Sequence, residues 1–373
     1  MLSFSFQKPR VALTVWVLAL LALCVSVCAA EQAPRNVILL MGDGMGIGHV
    51  TAARIAGPGP DGKLAMDTMP YTGFVLTHPS GKLVTDSAAS ATALATGHKT
   101  TNGAVSVDPD GRRLKTILHL ARDMGKSTGI ISTKSVTDAT PAAFTSQVRS
   151  RGEHAEIASQ MIASGVDVVL GGGRSAFLPK TAGSGAREDG RDLLAEARDG
   201  GYDVFDSAEK MSASQSDRMI GLFAPDSMTT QPPEPTLAEM TAKAISALSR
   251  NERGFFLMSE GAQIDSFAHG NNSEGAVRQT LLFDDAVRVA LDFAAEDGRT
   301  LVLVTADHDT GGMGVLDPDA ENPRYRAGWV GGGHTGNMVP LYAYGPGAER
   351  FTGTHDNTRI PVICAELWGE RLH

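Results

Sequence analysis

The sequence predicts an α/β protein with a mostly parallel central sheet covered by helices on both faces. Three observations carry that reading. Short apolar runs of β-type residues alternate with segments of helical periodicity. One helical segment, 275–295, is long and one-sided, with Val277, Leu281, Leu282, Ala286, Val289 and Phe293 recurring at helical spacing. Acids and imidazoles cluster just past the ends of the apolar runs, where open α/β sheets place their sites.

Strands are expected at 36–41, 71–77, 127–133, 166–170, 255–258, 300–305 and 338–344. Helices are expected at 87–96, 114–124, 154–163, 192–198, 236–248, 275–295 and 359–367. The segments 179–190, rich in Gly, Ser and charge, and 229–235, with three prolines, read as surface loops. No internal repeat is present. The first strand runs into Met41-Gly42-Asp43-Gly44-Met45-Gly46, glycines that permit tight turns around one carboxylate. Their spacing is not the G-x-G-x-x-G of a dinucleotide loop, and an acid stands at the centre.

After the second strand, Thr85-Asp86-Ser87-Ala88-Ala89-Ser90-Ala91-Thr92-Ala93 places a serine at the first turn of an Ala-rich helix. The unpaired N–H groups and positive dipole end there favour an anion beside the hydroxyl. Alone, Asp86 or Ser87 reads as a helix cap. The third strand leads to Asp138-Ala139-Thr140-Pro141, oxygen donors of the kind Mg²⁺ accepts, with Pro141 expected at the first helical position. Past the 255–258 strand come Glu260 and then Asp265 and His269, whose i, i+4 spacing puts them on one helical face, able to grip one zinc. The 300–305 strand delivers Asp307-His308, and a Gly-rich loop leads to His334. The nitrogen-bearing sets suit Zn²⁺ and the all-oxygen set suits Mg²⁺. His49, His98, His119 and His154 read as helix or loop residues, and Met41, Met45, Met258 and Met313 as packing.

Residues 1–30 read as a signal peptide: Lys8 and Arg10, an apolar run over 11–27, then Cys28-Ala29-Ala30 as a cleavage site. The expectation is a periplasmic or secreted protein starting near Glu31, with a retained N-terminal anchor as the alternative. The remaining residues, 31–373, are expected to form one catalytic domain. Of three cysteines only Cys364 survives removal of the leader, so a disulfide framework is excluded and stability rests on the core and bound metal. The net charge is −9; the leader carries two positive charges and no acid, so the mature chain carries −11. Without basic runs, such a chain is a poor candidate for nucleic-acid binding, and no nucleic-acid partner is expected. With the leader cleaved, no membrane partner is expected either.

The clusters, in this order, resemble the alkaline phosphatase family. The matching motifs are G-D-G-M-G at 42–46, T-D-S-A-A-S-A-T-A at 85–93, D-A-T-P at 138–141, E-G-x-x-I-D-x-x-x-H at 260–269, T-A-D-H at 305–308 and H-T-G at 334–336. The resemblance implies the α/β/α sandwich of that family and hydrolysis of phosphate monoesters through a phosphoseryl intermediate at Ser87. It implies two zinc ions and one magnesium ion. Asp265, His269 and His334 would hold the first zinc, and Asp43, Asp307 and His308 the second, with Ser87 completing it. Asp138, Thr140 and Glu260 would hold magnesium, with Asp43 bridging. Arg151, 13 residues after Asp138, would clamp phosphate in bidentate fashion, and Arg149 is the competing choice.

Two departures stand out. Ser266 occupies a position where the family often has Lys, His or Trp near the phosphate. The chain also lacks the long insertions that build a crown-like dimer domain, so a homodimer with a smaller interface, or a monomer, is expected. The alternatives are a phosphodiesterase or sulfatase of the same superfamily, and a metal- or phosphate-binding protein without turnover. Ser87 lacks the C/S-x-P-x-R context of a sulfatase, and diesterases more often use threonine and lack the magnesium set.

Overall fold

The structure, a computed structural model, describes residues 1–3, 33–320 and 324–373. Residues 4–30 of the expected leader lie outside the described residues. Among the described residues no helix is long and apolar enough to cross a membrane.

Ten strands form the central sheet: β1 (Asn36–Gly42), β2 (Tyr71–Leu76), β3 (Ser127–Ser135), β4 (Val168–Gly172), β5 (Asp203–Phe205), β6 (Met219–Leu222), β7 (Phe255–Gly261), β8 (Thr300–Thr305), β9 (Val339–Tyr344) and β10 (Gly353–Asp356). Their order is β10-β2-β9-β8-β1-β7-β3-β4-β6-β5. Only β9 runs antiparallel, to β2 and β8. The other pairs are parallel, as expected of strands joined by helical crossovers. Every residue of β1, β7 and β8 is buried, which explains why these strands read as unbroken apolar runs.

The helices are α1 (Ile47–Ala56), α2 (Ser87–Thr96), α3 (Ile117–Asp123), α4 (Ala139–Thr145), α5 (His154–Ala163), α6 (Leu193–Asp199), α7 (Ala208–Ala213), α8 (Leu237–Leu248), α9 (Gln263–His269), α10 (Ser273–Asp297) and α11 (Arg359–Leu367). Helix α10 packs on α1, α8 and α9, while α2 packs on α4 and α11, so helices flank the sheet in two groups. Residues from β1, β7, β8 and the surrounding helices share one core that includes Phe144, Phe256 and Phe283. Each large side chain fully withdrawn from water contributes about 1.5–3 kcal/mol before the cost of ordering the chain.

The seven expected strands and seven expected helices all form; 87–96, 154–163, 300–305 and 359–367 keep their expected bounds and the others shift at one or both ends. Strand β7 runs on through Gly261, so Glu260 stands on the strand itself rather than past it. Asp138 caps α4 with its own side chain, which makes Pro141 the third helical residue instead of the first. Helix α10 buries part of the expected stripe and more besides: Val277 and Ala286 are buried as expected, Phe283, Val287, Ala290 and Ala294 are buried too, and Leu281, Leu282, Val289 and Phe293 only partly. The reason is that α10 meets three other helices as well as the sheet, so its buried face is broader than a single stripe.

Candidate metal centre and active site

Strand register builds the centre. Met41 on β1 pairs with Glu260 on β7 on one side and with Thr305 on β8 on the other. The residues just beyond, Asp43 and Asp307, therefore leave the sheet next to Glu260. Ser132 on β3 also pairs with Glu260 and donates its hydroxyl to the Oε2 atom at 2.5 Å. Gly44 takes φ +70 and lies against Thr310 and Asp265, where a Cβ would come 2.7 Å from Thr310 Oγ1. A glycine at 44 is what lets the first loop close onto the opposite wall.

Asp86, not Ser87, caps α2, accepting from Ala89 N at 2.9 Å. The Ser87 hydroxyl is thereby left for the site. Its Oγ lies 3.1 Å from His308 Nε2, which is 3.2 Å from Asp307 Oδ2 and 3.5 Å from Asp43 Oδ1. Asp43, Asp307 and His308 are placed to share one metal ion. On the other side, His269 Nε2 is 3.2 Å from both Asp265 Oδ1 and His334 Nε2, and His334 Nε2 is 3.6 Å from Asp265 Oδ1. The three residues expected to bind the first zinc thus converge. The ring of His308 also stacks on His334, 3.6 Å between centroids, so the two clusters adjoin and Asp265, His308 and His334 form a further group placed to hold a metal.

All three imidazoles are oriented through Nδ1. His269 Nδ1 donates to the carbonyl of Gly332 at 2.7 Å, and His334 Nδ1 to that of Thr85 at 2.9 Å. Thr310 Oγ1 donates to Asp265 Oδ1 at 2.7 Å and so accepts from His308 Nδ1 at 3.2 Å. Each Nε2 is thereby turned towards the carboxylates, the orientation a metal-ligating histidine needs, and in the metal-free chain His269 Nε2 donates its proton to Asp265. Oδ1 of Asp43 and Oδ2 of Asp307 are buried with no hydrogen-bond partner. Buried carboxylate oxygens without partners are costly unless a cation takes them, so the donor set fits metal ions.

The electrostatics agree. Burial, with Asp265 and Asp307 close by, holds Asp43 well above the ordinary carboxylate range. Burial and Glu260 push Asp307 up to about 8, and burial and Asp43 push Glu260 up to about 8. Burial lowers His308 and His334 to about 4 each. Burial works to raise Asp265, but the hydrogen bond from His269 and the nearby His308 and Lys134 hold it well below its usual range. That same bond raises His269 to about 9. These are the marks of an acidic cluster short of positive charge.

The oxygen set lies alongside. Asp138 is close enough to Asp43 and Glu260 to raise both. Thr140 is buried in the first turn of α4. Arg151 Nη2 donates to Asp138 Oδ1 at 2.9 Å, and Nη1 lies 3.5 Å from Asp86 Oδ2. Arg149 instead bonds the carbonyl of Asp110 at 3.3 Å, so of the two arginines only Arg151 turns to the site. Two neighbours were not singled out from the sequence, Thr310 and Lys134. Lys134 Nζ is 3.2 Å from Asp265 Oδ2 and 3.6 Å from Asp43 Oδ2. Its signal was available: like the acids, it stands at the carboxyl end of a strand. Of the histidines set aside, His49 is buried in α1 and accepts from Gly46 N at 3.1 Å, outside the metal clusters.

An acidic, imidazole-lined cluster at the carboxyl ends of parallel strands defines a metal-dependent hydrolase of the α/β class. The sequence model of the alkaline phosphatase family matches residues 34–325. The chain is 34% identical to alkaline phosphatase 3 of Bacillus subtilis, over 87% of each chain. It is 36% identical to the alkaline phosphatase of Escherichia coli, over 89% of this chain and 85% of the other. The alkaline phosphatase of the Antarctic bacterium TAB5 superposes with a TM-score of 0.83 at 33% identity, covering 91% of this chain and 99% of that one. A variant of that enzyme, with a histidine replaced by glutamate, has Mg bound in its M3 site. The chain belongs to the alkaline phosphatase family and is a phosphomonoesterase.

Proposed function

We propose that the chain hydrolyses phosphate monoesters through a phosphoseryl intermediate at Ser87, in a centre that holds two zinc ions and one magnesium ion. The observation that carries this is the Ser87 Oγ atom 3.1 Å from His308 Nε2, beside the buried Asp43 Oδ1 and Asp307 Oδ2, which accept no hydrogen bond. Asp265, His269 and His334 would hold one zinc, and Asp43, Asp307 and His308 the other. Asp138, Thr140 and Glu260, with Asp43 bridging, would hold magnesium; the TAB5 variant with Mg in its M3 site supports a third site of this kind. Bound there, the ions supply Lewis acidity, lowering hydroxyl pKa values and offsetting charge on the leaving oxygen.

The chain's own groups do the rest. Ser87 loses its proton and its Oγ attacks phosphorus in line, forming the Oγ–P bond as the bond to the alcohol oxygen breaks. The alcohol takes up a proton and leaves. Water then attacks phosphorus, the Oγ–P bond breaks, and inorganic phosphate departs with Ser87 restored. Arg151, held between Asp86 and Asp138, presents its guanidinium to the non-bridging oxygens, and the N-terminus of α2 adds its unpaired N–H groups.

The test is to quench the enzyme during turnover of a radiolabelled monoester and map the label: phosphate on Ser87 supports the reading, and none on any residue overturns it. Faster cleavage of a diester or a sulfate ester than of a monoester, at alkaline pH, would favour the superfamily alternatives.

The leader at 1–30 supports export to the periplasm or beyond, tested by sequencing the N-terminus of the exported protein, expected near Glu31. We propose a homodimer, with a monomer as the alternative; exposed Ile47, Phe74 and Met338, which line one pocket, support the dimer. Light scattering on the protein and on Phe74→Asp tests it, the variant being expected to run as a monomer.

A further inference from the structure

Lys134 is the one cation in contact with both Asp43 and Asp265 among the described residues, and the chain takes some trouble to put it there. The register of β3 against β4 slips between Ser132 and Ser135, so the strand bulges at Thr133 and Lys134. A bulge re-aims the side chain that follows it. The slip is fastened at the site: Lys134 N donates to Ser132 Oγ at 3.1 Å, and that hydroxyl donates onward to Glu260. The ammonium ends 3.2 Å from Asp265 Oδ2 and 3.6 Å from Asp43 Oδ2, with its side chain only 15% exposed. It also acts electrostatically on Asp138 and Glu260. Three of these four carboxylates, Asp43, Asp138 and Glu260, are those of the oxygen-donor set.

We propose that Lys134 is a tethered counter-cation of the metal centre, which holds Asp43 and Asp265 together in the metal-free chain and competes with the divalent ion of the oxygen-donor site. The proposal rests on the metal assignment made under the proposed function. Its physical basis is simple. Carboxylates packed this closely repel unless a positive charge lies among them, and a lysine supplies that charge before any ion arrives. Once an ion arrives, the ammonium repels it and holds oxygens the ion needs. An ordinary structural ion pair would do the first of these and not the second.

Magnesium titration of the zinc-loaded protein by calorimetry separates the two. Lys134→Gln and Lys134→Ala are expected to bind Mg²⁺ at least about tenfold more tightly than the unaltered protein, the repulsion between nearby like charges having gone. Lys134→Arg, which keeps the charge, is expected to bind as the unaltered protein does. In excess chelator the two neutral variants should melt below the unaltered protein, and with metals restored they should melt at or above it. Unchanged or weaker Mg²⁺ binding by both neutral variants, with zinc bound normally, overturns the role of Lys134 alone. So does an equal loss of melting temperature with and without metals. An unaltered protein that binds no zinc overturns the metal assignment and this inference with it.

Discussion

Ser87 Oγ and His308 Nε2 stand 3.1 Å apart across 221 residues of sequence. The pair joins the N-terminus of α2 to the carboxyl end of β8, and a small change at either end is expected to be felt in turnover. Ser87→Ala should lower kcat by about 10³-fold or more while metal content stays the same, because removing a nucleophile takes out the step that everything else serves. Steady-state kinetics with metal analysis on the same sample checks it, and undiminished hydrolysis would remove Ser87 from the mechanism.

Chelation is expected to abolish activity and to lower the melting temperature by something on the order of 5–10 °C, since ligands that bind only the folded chain stabilise it by mass action. The cause in this chain is Asp43, which burial and the acids around it hold far above its usual range and which a cation relieves. Zinc and magnesium together should restore both readouts. Activity indifferent to chelation would count against every ligand named.

Arg151→Ala should weaken inhibition by inorganic phosphate roughly tenfold to hundredfold, the worth of charge-assisted hydrogen bonds to an anion. Arg149→Ala, whose guanidinium meets the carbonyl of Asp110, should stay within about twofold. Equal effects from the two would mean that the geometry has been misassigned.

Gly44→Ala should lower zinc affinity as well as stability. The φ of +70 alone costs an L-residue about 1–2 kcal/mol, and the new Cβ would press on Thr310 Oγ1 and on Asp265. Thr310 orients His308 and Asp265 together, so the strain is expected to reach the metal set. Zinc retention during dialysis against a mild chelator measures it; full retention would show that the loop yields without disturbing the ligands.

His119, away from the site, gives a pH dependence. Burial and the nearby Arg122 lower its pKa from 6.5 to about 4. Between those values the unfolded chain takes up a proton that the folded chain refuses, so this contribution to stability is present above pH 6.5 and is lost as pH falls towards 4. The loss is at most about 3 kcal/mol. Urea unfolding of His119→Gln against the unaltered protein should give a difference that shrinks by that order as the pH falls through the window; a constant difference would refute it.

The strands were legible because buried parallel strands read as apolar runs, and the site because its acids and imidazoles follow those runs within a few residues. Edges were less legible. Short strands β5 and β6, and helices α1, α7 and α9, carry too few residues or too mixed a pattern to declare themselves alone. Glu260 was placed beyond its strand because a glutamate is a poor strand residue by itself, whereas Ser132 on the neighbouring strand gives it a partner. The full breadth of the buried face of α10 was hidden because periodicity reports that a helix has an inner side, but not how many neighbours it has.

By itself the sequence determined the α/β class, the order of the motifs and the residue types available for chemistry, since these depend on local periodicity and on spacing along the chain. The tertiary structure alone decided which groups share a site. It chose Arg151 over Arg149, turned three Nε2 atoms inward by fixing each Nδ1, and brought Lys134 among the acids through a slip in strand register. Those outcomes depend on partners far apart in sequence, whose positions follow from strand register and helix packing rather than from any local pattern.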